Sequence, residues 1–442
     1  MRNIKAIWVI LALALLAGCT KGGEFDKTVA PTHRYIPESR ADDGESRNVA
    51  ILYSAGFNSL SGYLKEDIKE ELMAGYVPSG GRTDNVLLVF SKLPVAPGKY
   101  DVQTSPVLFR LFKDAKGAVV ADTLKVWPVG TRAVDAAVVT DVLNYVHETF
   151  PANGYGLIFS SHATGWMPEG YYSNPEEFEG GGDDFWDAPR RSFPYREIQS
   201  EDGLPEVKSI GQEYANGKTE SYEIDLQDFA DAIPYRLDYV IFDACLMGGV
   251  EVAYALKDKA SLVAFSQTEI LAQGLAYKLI GECLLKPAVP MVDLVCSDYF
   301  EQYDKQSGSY RSATISLIDT GAMDALAEVC AALFEKYRSA IAALDYKKVQ
   351  GFGRLVYGID RHWFFDLRDI LVKAEASDED LASLDKALAD AVVYAAHTPI
   401  FLNIAINTDC GLSMYLPVAG SEYLDEFYRT SIAWNDATAL VR

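Results

Sequence analysis

Short apolar runs alternate with amphipathic stretches along most of the chain. Residues 49–53, 86–90 and 239–242 are apolar runs of strand length, rich in β-branched and aromatic residues, as in strands buried on both faces. Residues 60–73 and 136–150 repeat their apolar positions with the spacing of an amphipathic helix. The alternation predicts right-handed β–α–β units and therefore an α/β fold with a mainly parallel central sheet.

The later part of the chain is predicted to be richer in helices. The remaining elements are a hairpin at residues 100–127 with Gly117 at its turn, strands at 262–266 and 313–318, helices at 323–344 and 380–397, and a returning strand at 412–416. We therefore predict a core domain over residues 49–320, followed by a helix-rich C-terminal region over residues 321–442.

The N-terminus has the pattern of a targeting segment. Arg2 and Lys5 precede a mostly aliphatic stretch, residues 6–17, which is too short to span a membrane as a helix. Residues 16–19, Leu-Ala-Gly-Cys, match a bacterial lipoprotein cleavage site, so residues 1–18 are predicted to be a signal peptide and Cys19 the lipidated N-terminus. A plain secretory signal with a coincidental cysteine is the alternative. Polar residues 19–48 then form a tether, and the protein is expected in the cell envelope, on a membrane face that the sequence leaves open.

Composition and charge narrow the class of protein. The chain is 49% hydrophobic and 12% aromatic, which is ample for a large core, and its formal charge of −23 is unfavourable for binding nucleic acid. Five cysteines besides Cys19 are well spaced and lack the CxxC pairs of zinc sites or a disulfide framework; they are Cys245, Cys283, Cys296, Cys330 and Cys410. The oligomeric state stays open.

Two predicted strand ends carry groups suited to nucleophilic catalysis. The strand at 239–242 runs into a turn of small residues that contains Cys245, and an earlier apolar strand ends directly before His162. Since the carboxyl ends of parallel strands meet at one edge of a sheet, the thiol and the imidazole are expected to be neighbours. The alternatives are a buried core cysteine and a loop histidine without a task.

The other histidines are less suitable. His147 lies off the apolar stripe of its predicted helix, His362 stands in an aromatic-rich segment where packing is expected, and His397 is predicted to end a helix. His162 is therefore the preferred partner of Cys245.

The residues around this pair resemble the clostripain-like cysteine peptidases, relatives of the caspases, gingipains and legumains. The motif His162-x-x-Gly165-Trp166 and the block Asp243-Ala-Cys-Leu-Met-Gly248 carry the resemblance, and residues 266–269, 313–319 and 411–417 are similar to later family blocks. The resemblance implies a caspase-like three-layer sandwich and a cysteine endopeptidase. The chemistry needs no cofactor, and Ca²⁺ is suggested by the resemblance alone.

The resemblance also implies a role for each site residue. Cys245 attacks as a thiolate, His162 moves the proton, and the backbone N–H groups of Cys245 and Ala163 hold the oxyanion. The family usually has glycine after the catalytic histidine. If the backbone there needs a positive φ, Ala163 is strained by about 1 kcal/mol or more.

Substrate preference is predicted from two acidic residues. Asp243 matches the family position that lines the first specificity pocket, which implies protein or peptide substrates with Arg, or Lys, before the cleaved bond. Glu269 is a candidate second acid. The alternatives are that Asp243 caps the following turn and that Glu269 is an ordinary loop acid.

A long insertion, residues 169–221, separates the two catalytic blocks. It is rich in glycine and proline and contains the basic residues Arg190, Arg191, Arg196, Lys208 and Lys218. In the resembled family a cut after a basic residue here separates two chains and opens the site. An uncut surface excursion is the alternative.

Two other functions remain open on sequence grounds. One is a surface lipoprotein that keeps the fold but only binds peptides or glycans, which the unusual Ala163 and the insertion favour. The other is a hydrolase that uses paired carboxylates, which would require acids on both strand ends, where the chain has His162 and Cys245.

Lipidation of Cys19 predicts how the protein partitions between cell fractions. The wild type should appear in the membrane fraction, and Cys19→Ala should give an uncleaved or soluble form. The readout is immunoblotting of fractionated cells, with Cys283→Ala as a control that keeps the cleavage site. A soluble, unmodified wild type would contradict the prediction.

Overall fold

The computed structural model describes residues 47–172, 174–179, 193–194, 204–207, 213–353 and 363–442. The predicted signal peptide and most of the tether with Cys19, four basic residues of the insertion (Arg190, Arg191, Arg196 and Lys208) and His362 lie outside these residues. Within them, no helix has both the length and the apolar character needed to cross a membrane.

The strands run through the whole described chain. They are β1 (Asn48–Ala55), β2 (Val86–Lys92), β3 (Val107–Lys113), β4 (Val119–Val126), β5 (Gly154–Ser160), β6 (Phe193–Pro194), β7 (Glu213–Ala215), β8 (Glu220–Tyr222), β9 (Leu237–Asp243), β10 (Ala260–Phe265), β11 (Thr314–Asp319), β12 (Phe365–Asp366), β13 (Val392–His397), β14 (Ile400–Phe401), β15 (Ile404–Ala405) and β16 (Ser413–Met414). Nine of them form one mixed sheet in the order β13-β11-β10-β9-β5-β1-β2-β3-β4.

The middle of this sheet is parallel and its edges are antiparallel. Strands β10, β9, β5, β1 and β2 pair in parallel, whereas β3 and β4 on one side, and β11 and β13 on the other, pair antiparallel. The parallel strands are buried along almost their whole length, which explains why they read as continuous apolar runs.

Helices cover both faces of the sheet. They are α1 (Ser61–Glu66), α2 (Ala136–Thr149), α3 (Pro175–Glu179), α4 (Leu226–Ala232), α5 (Val250–Ala255), α6 (Tyr277–Leu284), α7 (Val292–Asp304), α8 (Met323–Ala342), α9 (Leu367–Lys373), α10 (Asp378–Ala391), α11 (Glu422–Ser431) and α12 (Ala433–Thr438). Helices α2, α4, α5 and α8 follow one another in one layer, and α6 and α7 pack together in another. The predicted three-layer α/β sandwich is confirmed.

The helix predicted over residues 380–397 is wrong in its last six residues. Helix α10 ends at Ala391, and the next six residues form β13, which pairs antiparallel with β11 at the sheet edge. Val392, Val393 and Tyr394 favour an extended backbone, and the exposed edge of β11 supplies the hydrogen bonds. His397 therefore ends a strand, and the C-terminal region contributes a strand to the central sheet.

The strand predicted over residues 412–416 is shorter than expected and lies outside the central sheet. Only Ser413 and Met414 are extended, and they pair with β12 in a separate two-stranded sheet. The Ser413 N–H donates to the Gly248 carbonyl at 2.8 Å, so this segment is held behind the turn that follows Cys245.

A buried carboxylate ties the C-terminal region to α5. Glu251 Oε1 accepts hydrogen bonds from the Tyr415 N–H and the Tyr428 hydroxyl, both at 2.8 Å. Burial of the carboxyl raises the pKa of Glu251 to about 7, and the two hydrogen bonds limit that rise. The helix that starts just after Cys245 is thus fixed from the C-terminal side.

The described residues of the insertion include secondary structure that the sequence did not predict. It contains α3 and a three-stranded sheet in the order β6-β8-β7. Glu213 at the start of β7 forms a fully buried ion pair with Lys92 at the end of β2, and its other oxygen accepts the Ala133 N–H at 2.5 Å. Removing either member of such a pair costs about 3–5 kcal/mol, so the end of the insertion is anchored firmly to the sheet.

Candidate active site

Strand register brings the two predicted catalytic loops together. Strands β5 and β9 are adjacent and parallel, and the last paired residues are Ser160 and Asp243. His162 and Cys245 each follow two residues later, on strands that are about 4.8 Å apart. Both side chains therefore leave the same edge of the sheet side by side.

The two loops also touch directly. Gly165 in the histidine loop has φ +65°, and a Cβ atom placed on it would lie 2.5 Å from the carbonyl oxygen of Leu246. Leu246 follows Cys245 and itself has φ +59°. Only glycine allows this approach, so Gly165 sets the distance between the histidine loop and the cysteine turn.

Cys245 lies in a turn held by the loop that follows β10. The Ile270 N–H donates to Cys245 Sγ at 3.1 Å, and the Leu246 N–H donates to the Thr268 carbonyl at 2.9 Å. Sγ also lies 3.8 Å from the Ile270 carbonyl oxygen, so both backbone groups of Ile270 contact the sulfur. The thiol is 0% exposed in the intact chain.

The other four described cysteines have raised thiol pKa values. Burial raises the pKa of the Cys283 thiol to about 12, with Asp298 adding to the rise. Burial also raises the pKa values of the Cys296, Cys330 and Cys410 thiols above the ordinary value. All five described cysteines are free, whereas their odd number by itself requires only one free thiol.

His162 is oriented by a serine that the sequence analysis missed. Its Nε2 lies 3.2 Å from the Ser59 hydroxyl, which belongs to the loop after β1. With the proton on Nε2, the basic nitrogen is Nδ1. The sequence contains one indication of this contact. The 49–53 strand is a third parallel strand, so the loop after it, which contains Ser59, lies at the same edge of the sheet.

Ala163 does not carry the strain considered from sequence. The described non-glycine residues with positive φ are Asn216, Leu246, Glu375, Leu402 and Ala439, so Ala163 is not among them. An alanine here therefore has no left-handed backbone to accommodate.

The two candidate acids are both buried near Cys245. Asp243 is 0% exposed and its Oδ2 accepts hydrogen bonds from the Ser160 hydroxyl at 2.8 Å and the Tyr277 hydroxyl at 2.6 Å. Burial, followed by the charge of Asp243, raises the pKa of Tyr277 well above its usual range. Glu269 is also buried and directly precedes Ile270, the residue that donates to Sγ.

Part of the insertion lies against the loop that holds the nucleophile. Val207 pairs antiparallel with Leu271, and the Ala272 N–H donates to the Glu206 carbonyl at 2.9 Å. The Glu206 carboxylate accepts from the Tyr63 hydroxyl at 2.9 Å. Residues 204–207 thus run beside the site like an added strand.

An apolar cavity of about 40 Å³ opens beside His162 on the other face of the sheet from Asp243. Its lining includes Phe159, Phe229, Phe242 and Met247.

Among the described residues, no group of three or more His, Cys, Asp or Glu side chains is arranged to hold a metal ion.

The sequence matches the model of a known protein family. Residues 52–176 and 197–441 match the sequence model of the clostripain family, peptidase family C11. No curated protein matches the chain.

Solved structures show a shared fold. An inactive zymogen C11 protease from Parabacteroides distasonis is 24% identical, with 91% of this chain and 99% of that chain covered and a TM-score of 0.68. A secreted C11 cysteine protease from Bacteroides thetaiotaomicron, in complex with an irreversible peptide inhibitor, is 23% identical, with 89% and 99% covered and a TM-score of 0.67.

The contact between the two catalytic loops predicts a specific effect of Gly165→Ala. A positive φ costs alanine about 1 kcal/mol, and relieving the overlap with Leu246 costs about 1–3 kcal/mol more. We expect the free energy of unfolding to fall by about 2–4 kcal/mol and peptide hydrolysis to be lost, measured by urea denaturation and a peptide assay.

Gly117→Ala is the matched control for this prediction. Gly117 has φ +80° with no neighbouring atom within 4 Å of an added Cβ, so it reports the cost of the backbone conformation alone. Equal destabilisation by the two substitutions would show that the close approach to Leu246 is not significant.

Proposed function

The chain belongs to the clostripain family of cysteine peptidases, and on that premise we propose that it is an exported, lipid-anchored endopeptidase with Cys245 and His162 as its dyad. The observation that carries the proposal is the register of β5 on β9, which puts both loops at one sheet edge, with Gly165 against Leu246. The peptide- or glycan-binding alternative loses one support, because Ala163 has no positive φ.

In the first step the Cys245 thiolate attacks the carbonyl carbon of the scissile peptide bond. The carbonyl oxygen becomes an oxyanion, which the N–H groups of Cys245 and Ala163 stabilise. The imidazolium of His162 gives its proton to the leaving amine, the C–N bond breaks, and a thioester remains on Sγ.

In the second step water replaces the thioester. His162, now neutral, takes a proton from the attacking water, and the hydroxide oxygen bonds to the acyl carbon. The C–S bond breaks, the new carboxyl product leaves, and the thiolate and imidazolium are restored. Ser59 supports both steps by holding Nε2 while Nδ1 exchanges the proton. Neither step requires a metal or another cofactor.

Asp243 supports a preference for Arg, then Lys, before the cleaved bond. Its buried carboxylate lies two residues before the nucleophile, where a guanidinium can form two charge-assisted hydrogen bonds and an ammonium only presents a point charge. The Ser160 and Tyr277 hydroxyls orient that carboxylate. Glu269 is proposed to add a second negative charge from the neighbouring loop.

The insertion is proposed to keep the intact chain inactive until it is cut after a basic residue. Residues 204–207 lie along residues 270–272, and Cys245 and Asp243 are both 0% exposed in the uncut chain. A cut before residue 204 would turn residues 204–207 into a free chain end that can leave residues 270–272, while β7 stays anchored through Glu213 to Lys92.

The dyad predicts coupled losses of activity. Cys245→Ala and His162→Ala should each reduce kcat/KM for peptide hydrolysis by about 1,000-fold or more, and the double variant should be scarcely worse, because the two groups act as a unit. Ser59→Ala, which keeps both reacting groups, should lower kcat by about tenfold.

Cys283→Ala and His147→Ala are the matched controls, since each removes a thiol or an imidazole outside the site, and both should keep wild-type activity. Additive losses in the double variant would show that the two residues do not act together. Activity that survives Cys245→Ala would remove the cysteine mechanism altogether.

Substrate choice is the second prediction of the proposed function. Arg before the cleaved bond should be preferred over Ala or Leu by about 30-fold or more, because a buried ion pair separates charged from neutral side chains by about 2–5 kcal/mol. A positional peptide library, read with the insertion intact and nicked, measures this preference. Asp243→Asn should abolish it, and Glu269→Gln should weaken it.

Three outcomes would each bear on a different part of the proposal. A preference for Asp, Asn or a large apolar residue would refute the role of Asp243. Equal activity of intact and nicked protein would refute the inhibitory insertion. Absence of cleavage by both forms would favour a surface lipoprotein that binds peptides or glycans.

A further inference from the structure

A basic pocket lies at the end of the sheet opposite the candidate active site. Arg47 immediately precedes β1, and Pro151 lies just before β5, so the pocket is at the amino ends of the parallel strands. Its volume is about 270 Å³, and Arg47, Arg82 and Arg110 all contribute to its lining. Three arginines around one cavity are unexpected in a chain with a formal charge of −23.

None of the three guanidinium groups forms an ion pair with a described carboxylate. Within the part of the chain that the structure describes, no carboxylate lies within 4.0 Å of Arg47, Arg82 or Arg110. Arg47 donates instead to two backbone carbonyls, those of Pro151 and Arg82, both at 2.6 Å. These bonds fix the Arg47 guanidinium in place while its charge stays uncompensated.

Arg110 is the most constrained of the three. Its guanidinium lies over the rings of Phe112 and Phe150, at 5.5 and 5.7 Å from their centroids. Its Nε is buried and has no hydrogen-bond acceptor among the described residues. Burial, and then the charge of Arg47, lowers the pKa of Arg110.

Two acids oppose this effect without filling the pocket. Asp84 and Asp122 both favour the charged form of Arg110, but Asp84 Oδ2 accepts the Gly81 N–H at 2.8 Å and Asp122 is on the exposed strand β4. An anion between the arginines would give the buried Nε–H of Arg110 an acceptor. It would also offset the repulsion between the positive charges of Arg47 and Arg110.

We propose that this pocket binds a phosphate group carried on a small organic molecule. The planar guanidinium donors of Arg47, Arg82 and Arg110 match the oxygens of a phosphate, and the Thr83 and Thr149 hydroxyls line the same cavity. The volume is at the lower end of ligand pockets, which suits a phosphate with a glycerol-sized or sugar-sized substituent. The phosphate can come from a lipid headgroup or from a soluble phosphate ester.

This inference is independent of the proposed peptidase activity. The pocket shares no residue with the candidate active site, and it lies where the chain enters β1. A phosphate bound there would lie at the amino end of the sheet, on the side opposite the candidate active site.

The test is titration of the full-length protein with inorganic phosphate and with glycerol 3-phosphate, each at constant ionic strength against chloride. Isothermal calorimetry gives the affinity, and thermal melting gives the stabilisation. Arg82→Gln, which changes an exposed side chain, and Arg110→Met, which keeps an apolar stem between the two rings, should each weaken binding by about tenfold or more.

Lys116→Gln is the matched control, because it removes one positive charge from the turn between β3 and β4, outside the pocket. It should bind as the wild type does. Tighter binding of glycerol 3-phosphate than of inorganic phosphate would support a phosphate ester such as a lipid headgroup, and equal binding would support recognition of the phosphate alone. No binding beyond the chloride reference, or binding that survives both arginine substitutions, would overturn the proposal.

Discussion

The parallel pairing of β5 with β9 is the constraint on which the candidate site depends. Their register ends at Ser160 opposite Asp243, so the loops that carry His162 and Cys245 start at the same height on neighbouring strands. A shift of one residue would turn the buried side chains of a strand to its other face and would separate the two loops. The buried apolar residues on both faces of β5 and β9 make such a shift unfavourable.

The cysteine turn is held from three directions around this pairing. Gly165 sets the approach of the histidine loop, the Ile270 N–H holds Sγ, and Ser413 binds the Gly248 carbonyl from the C-terminal region. Buried polar groups such as Glu251 reduce stability unless they are hydrogen-bonded. Such groups are present here at positions that hold the turn with Cys245, which suits a site that needs a rigid geometry.

The two ends of the sheet have opposite character although the chain as a whole is acidic. Buried Asp243 and Glu269 lie at the carboxyl edge beside the nucleophile, whereas Arg47, Arg82 and Arg110 surround a cavity at the amino edge. Net charge describes the average field of a protein at a distance, and a pocket lined by three arginines is governed by its own surroundings. The formal charge of −23 is therefore compatible with a local anion site.

The sequence by itself determined the α/β class, the parallel strands and the strand ends at which His162 and Cys245 lie, because buried parallel strands are short apolar runs and their ends are visible as changes of pattern. Only the tertiary structure decided that residues 392–397 are a strand, since the free edge of β11 supplies their partners. It also decided that Ser59 meets His162, that Glu213 pairs with Lys92 and that Arg110 lies beside Arg47. Such contacts join residues far apart in the chain, and they depend on strand order, register and loop paths, which the local periodicity of a sequence does not encode.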